Sequence, residues 1–600
     1  MDYRRALEVA IAAARDAGDL LRADFHRPGG PRHSSPHKAH ADTEAEHRIW
    51  AHLEPLGMPG VGEETAGLRG ADTGHVWVVD PNDGTAAYIR GHRGSAVSIA
   101  LVRDGVPVVG VVFAFAYPDD DGDLIAWAEG AGPITRNGEP VAPALTDRAL
   151  GPAEVVLVSQ DADRLAGLNA TLCAPARFRA MPSIAYRLAL AAVGEGAAGV
   201  SSHGPNEIDY AAGVALVRAS GGIVIDGSGH EVRCAPGSGG AGVCLGGAPA
   251  AVKALASRDW QAVRRAAKEP IELARLEPGH AIADAALLRR AQGCLLGQLA
   301  GDSLGSLVEF MGPSEIARQY PQGVRALADG GVWGTLAGQP TDDSELALAL
   351  ARSLVARGGF DPAHVQAAYL AWGRSGPFDI GTTTRAALDA AAKGRPIPAE
   401  SQANGALMRV SPLGILGAGR PTDAVAWARS DAALTHAHPV CQAASAAFVA
   451  AIATAIAGCD RSACHAAAVA AAGECGSIQD ALERARTAAP EDFMHHQGWV
   501  LTALQNAFFE LHHAPSLEEG LVRTVGRGGD TDTNGAIAGA LLGAFHGRNA
   551  LPAQWTTAIL SCRPGLPTDG AFVGRPRPAC YRPVDALELA ERLLLTGQAR

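Results

Sequence analysis

The chain has 600 residues, 47 % of them apolar and 19 % charged, with a net charge of −12 and a pI near 5.9. That length exceeds what one core organises, so roughly two to four domains are expected. The acidic balance argues against a general nucleic-acid or membrane-surface binder, but it is compatible with a phosphorylated substrate held through metals. The ten cysteines form no Cys-X-X-Cys pair, which fits a reducing cytoplasm better than a disulfide framework or a zinc site. The N-terminus reads as an amphipathic helix interrupted by Asp16 and Asp19, not as a signal peptide. No apolar run of about 18 residues stands out, so no membrane span is expected.

Residues 4–25 read as a helix with Leu7, Ala10, Ile11, Ala14, Leu20 and Leu21 apolar, followed by a Pro/Gly/His/Ser loop over 26–37 and a second helix over 43–53. Gly62-Glu63-Glu64-Thr65 precedes an apolar strand, Val76-Trp77-Val78-Val79, which ends in Asp80-Pro81-Asn82-Asp83-Gly84-Thr85. A buried strand that delivers two carboxylates three residues apart into a turn makes a cradle for a hard cation, and Glu63-Glu64 lies just upstream. The plainer alternative is an Asp-rich turn that caps the strand. Strand-like segments follow at 95–103, 106–117 and 124–129, then a helix over 182–193. Ile208-Asp209-Tyr210-Ala211-Ala212-Gly213 opens another helix, where Asp209 is either a cap or a third carboxylate ligand.

These residues, in this order, resemble the inositol monophosphatase superfamily over roughly residues 4–250. The matching motifs are Gly62-Glu63-Glu64, Asp80 to Thr85, Val97-Ser98-Ile99, Gly110-Val111-Val112, Asn137-Gly138 and Ile208 to Gly213. The resemblance implies a layered α/β/α/β/α fold. It also implies two or three Mg²⁺ held by Glu63, Asp80, Asp83, Asp209 and the carbonyl of Asn82, with Thr85 and Glu63 positioning and deprotonating the attacking water. Asn82 departs from the family's Ile or Leu, Ile208 from its Trp, and the acidic residue that meets inositol falls near Ser202, so a different phosphate ester is expected.

Residues 251–283 read as a linker, after which the pattern becomes one Ala-rich helix after another to residue 600. Gly293, Gly297, Gly301 and Gly305 recur every fourth residue, and so do Gly535, Gly539, Gly543 and Gly547. Each set bares one helix face, and two such helices can pack backbone to backbone, which offsets glycine's cost of about 1 kcal/mol each. Thr341-Asp342-Asp343-Ser344 stands at the start of a helix whose apolar face carries Leu346, Leu350 and Leu354. Gly528-Gly529-Asp530-Thr531-Asp532-Thr533 precedes the second glycine stripe. Both motifs offer only hard oxygens, which suits Mg²⁺, Mn²⁺ or Ca²⁺, and the glycines let the backbone approach a ligand. Capping is the alternative for each alone. His436 and His438 alternate, and are read as a helix cap or ligand contact in preference to a metal pair.

Together with Gly301-Asp302-Ser303-Leu304-Gly305, Glu309, Asn404 to Arg409 and Thr435-His436, these motifs resemble the ADP-ribosylglycohydrolase family over roughly 285–600. The resemblance implies an all-α domain. It also implies two Mg²⁺ (Mn²⁺ as an alternative) on Thr341, Asp342, Asp343, Asp530, Asp532 and Thr533, with Glu309 and Asp343 catalytic. Asn404, Gly405, His436, Gly528 and Gly529 would line the ADP-ribose cleft.

The expectation is therefore a cytoplasmic, bifunctional Mg²⁺-dependent hydrolase: a phosphatase domain over 1–250, a linker over 251–283, and a glycohydrolase domain over 284–600. The second domain would release ADP-ribose from a modified protein, nucleic acid or small molecule. The first would hydrolyse a phosphate monoester, such as one on an ADP-ribose or nucleotide product. The alternative is an ADP-ribose or nucleotide sensor with one degenerate domain.

Overall fold

The computed structural model describes residues 2–599 except 66–73, 236, 238–239, 272 and 567–571. The chain forms two compact units, the first mainly from Met1–Ile271 with Leu276–Ala283, the second from Glu272–Arg275, Asp284–Gly565 and Phe572–Arg600.

The first unit is mixed α/β. Its seven-stranded sheet runs in chain order through Gly60–Gly62, His75–Asp83, Ala96–Arg103, Val106–Ala114, Asp123–Ala128, Thr135–Arg136 and Glu139–Pro140. All neighbours are antiparallel except Gly60–Gly62, which pairs parallel with His75–Asp83. The helix Tyr3–Phe25 packs on Val106–Ala114, where Gly18 comes so close that a β-carbon would meet the Phe113 ring at 2.5 Å. Asp2 caps this helix by accepting from the Arg4 and Arg5 N–H groups.

A second, five-stranded sheet has the order Arg177–Met181, Val155–Ser159, Ala198–Ser201, Cys244–Gly247, Ile223–Asp226. Its first three strands are mutually parallel, so their C-terminal ends lie together. The helix Glu207–Ala219 packs on the larger sheet and on Ile184–Ala192, while Ile184–Ala192 also packs on Ala198–Ser201. The helix Pro249–Ala256, which runs across the start of the region read as a linker, packs on Cys244–Gly247.

Two local expectations change. The second helix starts at His40 instead of residue 43, because Asp42 takes the third helical position and accepts from the Ala39 N–H. The strand expected to end at Asp80 continues to Asp83, with a register shift between Asp80 and Asp83 that accommodates Pro81, which has no N–H to offer the ladder.

The second unit is mostly helical, and its described residues contain no named strand. At its centre Ala285–Gly305 and Thr531–His546 run antiparallel. Gly293 faces Gly543, Gly297 faces Gly539 and Gly301 faces Gly535, while Gly305 faces Thr531. A β-carbon built on any of the three facing pairs or on Gly305 would fall within 2.4 Å of the opposing carbonyl oxygen, so the backbones touch without intervening side chains. Asp342–Arg357, Pro439–Ile456, Val500–His513, Leu517–Gly526 and Ala586–Gln598 pack around this pair. Among the described residues one helix, Pro439–Ile456, is long and apolar enough to cross a membrane, contrary to the expectation that no segment qualifies; it is mostly buried in this unit. All ten cysteines are free thiols.

Candidate active sites

In the first unit, the bulged end of His75–Asp83 brings Asp80 and Asp83 to the start of Glu207–Ala219, where Asp209 sits. Carboxylate oxygens of Asp80, Asp83 and Asp209 lie within 4.8 Å of one another. The two readings of Asp209 both hold: one oxygen accepts from the Asn206 N–H at 2.7 Å as a cap, and the side chain also joins the cluster. Asp83 is turned by Ser183 Oγ and the Ala185 N–H, which both donate to its Oδ2 at the start of Ile184–Ala192.

Burial pushes Glu63 up to about 7, with Asp209 adding to it, and raises Asp209 to about 7, helped by Asp83. Asp80 is driven well above the carboxylate range by burial and then by Glu63. Four carboxylates that each favour protonation when bare form a site that a multivalent cation relieves.

Thr85 Oγ1 donates to the Asn82 carbonyl at 2.9 Å, and Asp42 Oδ2 lies 3.3 Å away as a second acceptor. Asp42 also accepts from Asn82 Nδ2 at 2.9 Å, and burial raises it to about 6. Sequence reasoning missed Asp42, since it precedes the helix as read there. Glu64, the second acid of the Glu-Glu pair, turns away to Lys38 Nζ and Thr43 Oγ1.

In the second unit the glycine pairing sets Gly305 against Thr531 and Asp532, which places Glu309, just past the first helix, beside Asp530 and Asp532 at the start of the second. Carboxylate oxygens of Glu309, Asp530 and Asp532 fall within 4.8 Å of one another. Asp342 and Asp343 open the helix Asp342–Arg357. Its N-terminus is capped from a distance by Asp302, which accepts from the Thr341 N–H, Thr341 Oγ1 and the Ser344 N–H. Thr341 Oγ1 also reaches Asp343 Oδ2 at 3.0 Å, and Thr533 Oγ1 lies 3.5 Å from the same oxygen.

Burial and then neighbouring carboxylates hold Asp342, Asp343 and Asp532 well above their ordinary range; burial also raises Asp530. Burial raises Glu309 and Asp379 to about 7 as well, Asp379 being further pushed by Glu309. Asp343 Oδ1 is buried with no hydrogen-bond partner among the described residues, as is Asn82 Oδ1 in the first unit. The orphaned Asp343 oxygen in the second unit, and the close-set carboxylates of both units, fit hard divalent cations.

Sequence reasoning passed over Asp302, Asp379 and Trp333 as site residues. Asp379 makes a side-chain contact with Asp342, whose Oδ2 accepts from the Gly381 N–H. Trp333 Nε1 donates to Glu309 Oε2 at 2.5 Å and fixes that carboxyl. The Asn404-Gly405 segment is pinned to the acidic loop before the second glycine stripe: Asn404 Nδ2 donates to Asp530 Oδ2 at 2.7 Å. Buried Arg409 secures it from beneath through the Gly405 carbonyl, Thr435 Oγ1 and Asp431. His436 is buried against Gly405, with Nδ1 on Thr435 Oγ1, and burial pushes it down to about 3. His438 is a cap, with Nδ1 accepting from the Val440 N–H. Gly528 and Gly529 have φ +74° and +75°, which glycine adopts freely, and a β-carbon on Gly529 would meet the Phe493 carbonyl at 2.1 Å.

Residues 283–575 match the ADP-ribosylglycohydrolase family model, and residues 2–265 match the inositol monophosphatase family model. The ADP-ribosyl-(dinitrogen reductase) glycohydrolase of Rhodospirillum rubrum is 32 % identical over 279 residues, 45 % of this chain and 90 % of that protein. An inositol-1-monophosphatase of Mesorhizobium japonicum is 32 % identical over 237 residues, 38 % of this chain and 86 % of that protein.

The chain joins a member of each family.

The first unit is thus its inositol monophosphatase-family unit and the second its ADP-ribosylglycohydrolase-family unit, and both are families of hydrolases. The ADP-ribosylarginine hydrolase Tri1 of Pseudomonas putida is 29 % identical to the glycohydrolase unit over 291 residues, 45 % of this chain and 74 % of that protein. A solved ADP-ribosylglycohydrolase-related protein complex contains a chain 30 % identical, covering 52 % of this chain and 99 % of that one, with a TM-score of 0.42.

Proposed function

We propose that the chain is a bifunctional, Mg²⁺-dependent hydrolase whose glycohydrolase unit removes ADP-ribose from a modified arginine. Its phosphatase unit would cleave a phosphate monoester, such as one on an ADP-ribose or nucleotide product. The observation that carries this reading is the convergence of Glu309, Asp342, Asp343, Asp530 and Asp532 in one buried site, with none of the expected acidic positions vacant. The arginine linkage rests on what the relatives act on, and an acid-rich site suits a cationic acceptor.

Thr341, Asp342, Asp343, Asp530, Asp532 and Thr533 would hold two Mg²⁺, with Mn²⁺ as a substitute. Bound there, the metals supply charge that fixes the ribose and polarises its hydroxyls. Trp333 keeps Glu309 aimed into the site. In the reaction the bond from the anomeric carbon to the arginine nitrogen breaks, and its electron pair goes to nitrogen. Water adds its oxygen to that carbon. Glu309 takes the water's proton, which passes to the departing guanidine, and the surrounding carboxylates favour the oxocarbenium charge that builds on the ribose. Asn404, Gly405, Gly528 and Gly529 line the ADP-ribose cleft, with His436 behind Gly405.

In the phosphatase unit, Glu63, Asp80, Asp83, Asp209 and the Asn82 carbonyl would hold two or three Mg²⁺, which supply charge at the phosphoryl group. Asp42 orients Thr85, and Thr85 with Glu63 positions and deprotonates the water.

Calorimetric titration with ADP-ribose, with and without Mg²⁺, tests the central assignment. The expected result is Mg²⁺-dependent binding that Asp530→Ala abolishes. Equal binding with and without the metal, or no binding in either condition, would overturn it.

A further inference from the structure

Among the described residues four large apolar side chains are exposed: Phe310, Val332, Trp499 and Phe572. Apolar residues scattered singly over a surface need no explanation, but these are not scattered. All four lie in the glycohydrolase unit, at the edge of its acidic site. Phe310 follows Glu309 in the chain. Val332 precedes Trp333, whose indole holds Glu309. The Phe572 ring lies 3.9 Å from where Gly334 would carry a β-carbon. Trp499 follows Gly498, whose carbonyl accepts from the Asn404 N–H. Trp333 also meets Phe378 at 6.1 Å between ring centres, and Phe378 precedes Asp379.

Phe310 carries a second mark. It is 56 % exposed and has φ +64°, a left-handed conformation that a bulky residue rarely adopts. Its N–H donates to the Gly529 carbonyl at 2.8 Å, and the Gly529 N–H donates to the Met311 carbonyl at 3.1 Å. The metal loop itself therefore holds an aromatic side chain out toward solvent, beside the catalytic acid, in a strained backbone. Strain kept in this way belongs with function more than with packing.

We propose that Phe310, Val332, Trp333, Phe378 and Phe572 form the docking surface for the polypeptide that carries the ADP-ribosyl group. The modified arginine enters the acidic floor, and apolar residues beside it in the target lie on the rim. This rests on the arginine reading given above. Charge complementarity identifies the occupant. Glu309 stands outside the set assigned to the metals, is held by Trp333 and lies within 4.8 Å of Asp530 and Asp532 at the floor of the rim, a position that suits a guanidinium. The chain's net charge of −12 disfavours a nucleic acid. A small polar nucleotide gains nothing from an apolar rim, whereas a polypeptide does.

The test compares the full-length enzyme with the Val332→Ser/Phe572→Ser variant on two substrates, an arginine-ADP-ribosylated protein and free ADP-ribosyl-arginine. The expected result is a KM for the protein raised about tenfold, with kcat on it, and both constants on the free amino-acid conjugate, unchanged. Phe572→Ser alone gives a smaller shift of the same kind and serves if the double variant folds poorly. Unchanged kinetics on the protein, or equal loss on both substrates, would overturn the docking surface. Wild-type enzyme that binds ADP-ribose but cleaves neither conjugate, or that prefers an ADP-ribosylated nucleic acid, would instead remove the arginine reading and this proposal with it.

Discussion

At the scale of single residues, both sites depend on side chains that hold other side chains. Asp42 accepts from both Asn82 and Thr85, so Asp42→Ala should lower phosphatase kcat by about 10–100-fold while leaving Mg²⁺ affinity nearly unchanged. Parallel loss of metal affinity would make Asp42 a ligand in its own right. Glu309→Gln keeps the shape of the side chain and removes its ability to carry a proton. Hydrolysis should fall by about 10²–10⁴-fold, with ADP-ribose binding retained on calorimetry. Such positioning residues are also where sequence reasoning stops. The clustering acidic motifs were legible because their residue types and spacing carry the pattern locally. Asp302, which meets Thr341 39 residues later, and Asp42, which meets Asn82 40 residues on, acquire their roles only when distant elements meet. Asp379 and Trp333 likewise sit in loops with no periodic signal, and the fold alone turns them toward Asp342 and Glu309.

At the scale of elements, the paired glycine stripes position the glycohydrolase site. Gly539→Ala makes the point quantitatively. Alanine gains about 1 kcal/mol of helix propensity over glycine. Its β-carbon, however, would lie 2.0 Å from the Gly297 carbonyl oxygen, and this neighbour is backbone that cannot rotate away. Overpacking of this kind costs about 1–3 kcal/mol and more when backbones must separate, so the net effect is destabilising. The melting temperature should drop by several degrees, and ADP-ribose binding should weaken with it, since separating these helices moves Glu309 away from Asp530 and Asp532. A variant as stable as wild type would show that the helices can part freely. The four-residue period was readable, and so was the close packing it permits. Elsewhere elements were less legible. The short apolar strands Val155–Ser159 and Ala198–Ser201 lack alternation because both faces are buried, so they carry no period to read. The strand to Asp83 hides behind Pro81, which looks like a terminator until the bulge accommodates it.

At the scale of the whole molecule, metal-free protein carries two clusters of buried carboxylates whose folded-state values are raised. A carboxyl with a raised folded value prefers to keep its proton. For Glu63 and Asp209 that contribution to stability is lost as pH climbs from the unfolded value near 4 through about 7, and for the carboxyls raised further the loss continues to higher pH. In chelator the melting temperature should be higher near pH 5.5 than at pH 8, and added Mg²⁺ should raise it more at pH 8, where no protons compete. A Mg²⁺ effect equal at both pH values would contradict the coupling. The central claim is that one chain holds two separate metal-assisted hydrolytic sites. The most direct measurement follows ADP-ribose release from an arginine-ADP-ribosylated protein, and phosphate release from a panel of ribose, nucleotide and inositol monophosphates, in full-length wild type, Glu63→Gln and Asp532→Asn. The account predicts that Asp532→Asn abolishes only ADP-ribose release and Glu63→Gln only phosphate release. A wild-type enzyme that yields neither product, or a single substitution that silences both, would contradict it.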